Sequence, residues 1–206
     1  VAQHRKNKNL DLAIRAFSWS IKNKYLKDTT KLVIVGSNGP ETEKLHQLIN
    51  QLSLEEQVLL LDSIEDSELC WLYQNCEIFI APSLQEGFCI PLAEALHFSC
   101  KIVCSDIPIF REIGSSSCTY FDLQGDPVRN LCQAIIYALE KPLKQASKEL
   151  RFSKSDVAAC YLTFFAAIAR NSQLRVGFFQ RVKARFDKLG IKSRTRSTSK
   201  VKSYNQ

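Results

Sequence analysis

The chain has no methionine, and its 206 residues include only seven glycines, six prolines and two tryptophans. So little glycine and proline excludes collagenous and Pro/Gly-rich low-complexity chains. Its most apolar stretches, at 58–61 and 76–81, meet charge long before the roughly 20 residues that a membrane-crossing helix requires. None of the eight cysteines falls in a C-x-x-C pair, and no zinc spacing occurs. With no signal-type N-terminus ahead of them, these cysteines are expected to be reduced, mostly buried thiols of a cytoplasmic protein. The absence of methionine and the opening on Val1, inside a strand-like run, suggest a fragment that lacks something upstream.

What is present is ordinary globular composition, 45% hydrophobic and 24% charged, enough for one well-buried domain and a smaller appendage. The net charge of +7 is unevenly spread: residues 170–206 hold 11 of the 28 Lys and Arg but only Asp187 of the 21 acidic residues. Residues 1–169 therefore carry a net of −3, and the basic character belongs to the tail.

Short β-branched runs alternate with helical patterns. Residues 1–3, 31–36, 58–61, 78–81, 101–105 and 118–121 read as six strands. Between them, Leu10, Ala13, Ile14, Phe17 and Ile21 repeat at helical spacing, as do Leu69, Leu72, Tyr73 and Cys76. Asp126-Pro127 is an N-cap followed by proline, opening a helix with Val128, Leu131, Cys132, Ile135 and Leu139 on one face. This alternation predicts an α/β fold, a doubly wound (Rossmann-like) parallel six-stranded sheet covered on both faces. The domain is expected over residues 1–140, with a connector and C-terminal helix over 141–173 and a basic, partly disordered tail over 174–206.

In the strand order 3-2-1-4-5-6 the loops after strands one and four lie side by side where the order reverses, and ligands bind there. The first loop, residues 4–9, offers Arg5, Lys6 and Lys8; the other, residues 82–87, offers Gly87 at a strand-to-helix turn, where backbone N–H groups and the helix dipole favour an anion. A pyrophosphate suits that crevice. Glu86 and Glu94 stand eight residues apart, which a mostly helical path would stretch to about 12 Å between Cα atoms. That is too wide for a glycosidase acid and nucleophile, about 5 to 9.5 Å apart. It suits a ligand with hydroxyls at both ends, provided the two carboxylates share a cavity and are not buried in ion pairs of their own. Gly36 to Gly39 reads as a turn, and His46 and His97 as structural.

The run Pro82-Ser83-Leu84-Gln85-Glu86-Gly87-Phe88-Cys89-Ile90-Pro91-Leu92-Ala93-Glu94 resembles the E-x7-E signature of retaining glycosyltransferases with the GT-B fold, family 4, the glycosyl transferases group 1. Lys8-Asn9-Leu10, Ala16-Phe17, the stretch 33–40, Glu68-Leu69, Tyr73 and the stretch 112–114 also fall where that family's pattern places them. The resemblance covers about residues 1–140 and implies the C-terminal, donor-binding half of a GT-B fold. It implies Glu94 on the donor ribose and Glu86, the catalytic candidate, facing the transferred sugar. It further implies Ser83, Gly87 and Phe88 against sugar or phosphate, and Lys8, with Arg5, on the pyrophosphate. The donor is a nucleoside-diphosphate sugar bound as substrate; no cofactor and no metal are expected, the acceptor is unassigned, and the acceptor domain would lie upstream. The chain departs from the pattern at Ala2-Gln3, where Gly-Arg is usual, at Cys89 and Ser99, where glycine is common, and at Lys101, where proline is usual.

The competing class is a degenerate, non-catalytic nucleotide-binding module kept for protein contacts. In the tail, Val182, Phe186 and Leu189 could form an apolar face ringed by Arg181, Lys183, Arg185 and Lys188. That pattern suits peripheral contact with the anionic inner face of a membrane, and a solvated extension is the alternative. Nucleic acid is not an expected partner, because no reading module accompanies the charge.

Overall fold

A computed structural model describes residues 1–141, and these carry the expected α/β alternation. In chain order the elements are α1 (Leu10–Lys22), β1 (Leu32–Val35), α2 (Thr42–Gln51), β2 (Val58–Leu61), α3 (Asp66–Asn75), β3 (Phe79–Ala81), α4 (Ile90–His97), β4 (Ile102–Ser105), α5 (Pro108–Gly114), β5 (Cys118–Phe121) and α6 (Pro127–Glu140). The predicted C-terminal helix and basic tail lie outside the described residues. No helix among the described residues is long and apolar enough to cross a membrane.

β1 pairs with β2, and β3-β4-β5 form a second set, all parallel. Strand periodicity sends side chains to both faces, and β4 shows why its four residues are all buried. Ile102 and Cys104 join a core with Tyr73, Phe79, Leu92, Ala95 and Phe110, from α3, β3, α4 and α5. Val103 joins the opposite core with Phe121, Leu131 and Ile135, from β5 and α6. Helix α1 is buried on two faces because it serves two cores: Leu10, Ile14 and Phe17 meet α2, β1 and β2, while Leu12 and Ala16 meet α6. The predicted apolar face captured the first set but not Leu12 and Ala16.

The expected first strand is not formed as a strand, so the described residues hold five strands rather than six. Residues 1–3 nevertheless run beside β1: Ala2 N–H donates to Val35 C=O at 2.7 Å, and His4 N–H to Ser37 C=O at 3.2 Å. Two hydrogen bonds over so short a run do not build a ladder, yet they hold the chain where a central strand would lie. This approach explains the glycines at 36 and 39, which the sequence presented only as a turn. A Cβ on Gly36 would sit 2.0 Å from Ala2 O, and one on Gly39 2.4 Å from His4 O.

His4 is buried as this segment passes α2. Its Nδ1 lies 2.9 Å from Thr42 Oγ1, and its Nε2 has no hydrogen-bond partner. Burial, partly opposed by Asp62, lowers its pKa below 6.5. The expected burial of the cysteines is corrected: of the seven described, only Cys104 and Cys132 are buried, while Cys70 and Cys76 are exposed. The exposed pair sits in α3 and at its C-cap, and α3 buries only Tyr73.

Two of the departures from the family pattern acquire a backbone meaning. Ser99 has φ 58° and closes α4 in a Schellman turn, with Cys100 N–H on Ala95 C=O and Ser99 N–H on Leu96 C=O. Cys89, the N-cap of α4, has φ 65°. Both positions are left-handed, which favours glycine. Lys101, in place of proline, donates from Nζ to Leu139 C=O at the end of α6, 3.0 Å away.

Two outcomes follow from these backbones. Because Ser99 is exposed, Ser99→Gly relieves left-handed strain without losing packing and should raise stability by about 1 kcal/mol in urea denaturation. A histidine with a lowered folded pKa binds its proton more readily when unfolded, so its contribution is complete above pH 6.5 and is lost as pH falls toward the folded value. Between about pH 7.5 and 5.5 the wild type should therefore lose more unfolding free energy than His4→Gln; equal losses would remove His4 as the cause.

Candidate functional site

The loop that leaves residues 1–4 and the loop that leaves β3 lie side by side, as the strand order requires. Asn9, at φ 53°, ends a 3-10 turn over Lys6–Lys8 and donates from Nδ2 to Pro82 C=O at 3.1 Å. Asn7 C=O accepts Leu84 N–H at 2.8 Å, and Asn7 Nδ2 donates to Gln85 C=O at 3.3 Å. Between these backbone ties, Lys8 Nζ meets both oxygens of Glu86, at 2.7 and 2.9 Å, and Ser83 Oγ donates to Glu86 Oε1 at 2.7 Å. The structure thus brings together Lys8, Ser83 and Glu86, three of the seven residues singled out in the sequence.

This junction corrects two expectations. Glu86 is held in an ion pair of its own, with its side chain 7% exposed against 20% for Lys8. The reason is local: a carboxylate at the mouth of the turn is too buried to rely on water, and the only nearby cation on the facing loop that reaches it is Lys8. The path from Glu86 to Glu94 is also not mostly helical, because α4 begins at Ile90 and the left-handed Cys89 breaks the chain direction ahead of it.

Glu94 lies on α4, half-buried, and its Oε2 accepts the Tyr73 hydroxyl at 2.9 Å. Burial and the bond to Glu94 raise the Tyr73 pKa, so the phenol remains a donor and orients the carboxylate. Tyr73 in turn stacks on Phe98, with ring centroids 5.4 Å apart and planes 6° from parallel. The sequence marked Tyr73 as a helix-face residue and as a position of the family pattern, but gave no signal that it supports Glu94.

Gly87 is exposed, its φ is not left-handed, and an added Cβ would meet nothing within 4 Å. The chain itself therefore does not require glycine there. Phe88 and Arg5 are exposed, Phe88 at 40%. The N-terminus of α4, carrying the positive end of its dipole, faces back along this same turn, and Cys89 makes no side-chain cap bond. On the neighbouring loop, Asn38 donates from its backbone N–H and from Nδ2 to Asp62, at 3.2 and 3.1 Å. His46 is solvated rather than structural, and His97, though exposed, packs edge-on against Phe98. Among the described residues no three His, Cys, Asp or Glu side chains gather as a metal centre would require.

A parallel α/β domain in which a cationic loop meets the loop after β3 at the switch point has the architecture of the doubly wound domains of GT-B folds. Residues 1–154 match the family model described as glycosyl transferases group 1, and the chain belongs to that family. It is 32% identical over 126 residues to the O-antigen chain mannosyltransferase RfbU of Salmonella typhimurium, a match covering 57% of this chain and 35% of that protein. It is 42% identical over 101 residues to the N-acetylgalactosamine-N,N'-diacetylbacillosaminyl-diphospho-undecaprenol 4-alpha-N-acetylgalactosaminyltransferase of Campylobacter jejuni, covering 49% of this chain and 25% of that one. Among solved structures it resembles HepE of Anabaena in complex with UDP and glucose, with a TM-score of 0.57 over 68% of this chain and 37% of HepE; at 20% identity this likeness shows the fold. The matches thus span only a quarter to about a third of the length of these curated relatives.

The Lys8–Glu86 pair can be tested by a double-mutant cycle. Lys8→Ala strands a largely buried carboxylate and should cost about 2 kcal/mol or more, and the coupling with Glu86→Gln should be roughly 1–3 kcal/mol. Coupling near zero in urea denaturation would mean the junction is held by its backbone ties alone.

Proposed function

We propose that this chain is the donor-binding domain of a glycosyltransferase that moves a hexose from a nucleoside-diphosphate sugar to an acceptor with retained anomeric configuration. The acceptor domain, in this reading, is supplied by sequence upstream. The observation that carries it is the convergence of Lys8, Ser83 and Glu86 where the two switch-point loops meet, beside a glycine the fold does not require.

Each residue then has a task. Lys8 is the more exposed member of its pair, so its Nζ turns from Glu86 to the diphosphate, with Arg5 on the same loop and the α4 N-terminus adding positive potential. These fixed positive groups stabilise the charge that grows on the departing nucleoside diphosphate. Glu86, released from Lys8 but still held by Ser83, accepts hydrogen bonds from the sugar hydroxyls. Glu94, oriented by Tyr73, takes the vicinal diol of the ribose with its remaining acceptor capacity. Gly87 lets phosphate or sugar approach the backbone, and Phe88 lies alongside.

The second reading, a degenerate relic of a nucleotide-binding fold kept for protein contacts, is favoured by two features: Gln3 stands where the family pattern has a cation, and Lys8 is already neutralised by Glu86.

Ligand-observed NMR titration of the chain with UDP, GDP and ADP separates the two. A donor domain binds at least one of them; a relic binds none at millimolar concentration. Gly87→Ala should leave the unfolding free energy within about 0.5 kcal/mol of wild type, because nothing crowds the new methyl. It should nevertheless weaken nucleotide-sugar binding. Glu94→Ala should raise the donor KM of the intact enzyme or abolish activity, and unchanged donor kinetics would defeat the assignment.

A further inference from the structure

We propose that Cys76 and Cys100 form a thiol-modification site, a reversible dithiol–disulfide pair that reacts with hydroperoxides. Their sulfurs are 3.8 Å apart, and both face the carbonyl oxygen of Tyr73, Cys100 at 3.1 Å and Cys76 at 3.5 Å. That carbonyl belongs to the last turn of α3, where helical partners run out, so a thiol proton from this pair can serve it. Cys76 is the C-cap of α3, and Cys100 follows directly on the Schellman turn of α4, so each thiol sits at the end of a helix. A disulfide length near 2.05 Å requires the sulfurs to close by less than about 2 Å, within reach of side-chain rotation and a small shift of two helix ends.

The two sulfurs are unlike in the way such a pair requires. Cys76 is exposed and Cys100 is only partly so, which makes Cys76 the sulfur that an oxidant meets first. The hydrogen bond with Cys100, against the opposing effect of burial, draws the Cys76 thiol down to about 7, which favours it as the attacking sulfur. Cys70, the other exposed thiol described, hydrogen-bonds to no sulfur among the described residues. The pairing is invisible in the sequence, where the two cysteines are 24 residues apart and Cys100 reads instead as a neighbour of Cys104.

The chemistry balances with hydrogen peroxide as oxidant. The Cys76 thiolate attacks one peroxide oxygen and the O–O bond breaks, giving a sulfenic acid at Cys76 and hydroxide, which takes up a proton as water. The Cys100 sulfur then attacks the Cys76 sulfur; the S–S bond forms, the S–OH bond breaks, and the hydroxyl leaves with the Cys100 proton as a second water. Two thiols are oxidised by two electrons and one peroxide is reduced to two waters. A low-molecular-weight dithiol reverses the change. In the linked state no thiol proton is left for Tyr73 C=O, and the ends of α3 and α4 are tied together beside the Tyr73–Glu94 hydrogen bond. The consequence for nucleotide binding rests on the donor reading of Glu94: linkage should weaken it.

The test is hydrogen peroxide treatment of the full chain, followed by alkylation of free thiols and peptide mass spectrometry. The expected result is a Cys76–Cys100 linked peptide as the dominant product, with a mass loss of about 2 Da, reversed by dithiothreitol. Cys100→Ser should stop at a dimedone-reactive Cys76, and Cys76→Ser should abolish the reaction at Cys100. A stable sulfenic acid at Cys76 in the wild type, or a dominant link from Cys76 to any other cysteine, would overturn the proposal. Nucleotide titration of the reduced and linked forms is read separately, so a chain that forms the link but binds no nucleotide removes the donor reading and leaves the thiol site standing.

Discussion

The close passage of residues 1–4 against the turn at 36–39 is the constraint on which the site depends. No side chain fits between these backbones: an added Cβ would lie 2.0 Å from Ala2 O at position 36 and 2.4 Å from His4 O at position 39. Once the segment is seated by its bonds to Val35 and Ser37, residues 5–9 must emerge at the end of the sheet where the loop after β3 also emerges. Lys8 then reaches Glu86 without either element being long or strongly ordered by itself. Overpacking at Gly36 would act on the candidate site through this lever, although neither glycine touches it.

The two carboxylates of the motif are held by different physics. Glu86 is fixed electrostatically, by a cation and a hydroxyl on facing loops, and its environment changes if Lys8 turns to another anion. Glu94 is fixed by packing, through a phenol stacked on Phe98 and embedded in the core of α3, α4 and α5. One end of the motif is therefore adaptable and the other pre-set.

Much of the fold was legible because it rests on periodicity and on punctuation. Asp126-Pro127 opens α6 as the cap chemistry required, with the Asp126 carboxylate accepting Arg129 N–H at 3.1 Å, and the apolar face of that helix is the one that packs. The switch-point pairing of two loops 73 to 78 residues apart followed from topology alone and appears in the bonds between Asn7, Lys8, Asn9 and the β3 loop. What was not legible depended on tertiary contact. A single sequence contains no signal that α1 packs on two sides, that Tyr73 holds Glu94, or that Cys76 and Cys100 meet at one carbonyl.

The departures from the family pattern illustrate how a local rule can be broken without loss of geometry. Cys89 and Ser99 both adopt left-handed backbones that glycine would adopt at lower cost, yet the Schellman bonds at the end of α4 are made. The strain at Ser99 is borne by an exposed side chain with no packing in return. At Cys89 the side chain packs against the core that contains Tyr73 and Leu92, so part of the backbone cost is offset by burial. The two substitutions are thus energetically unlike although they break the same rule, and replacing each by glycine would separate strain from packing at the two ends of one helix.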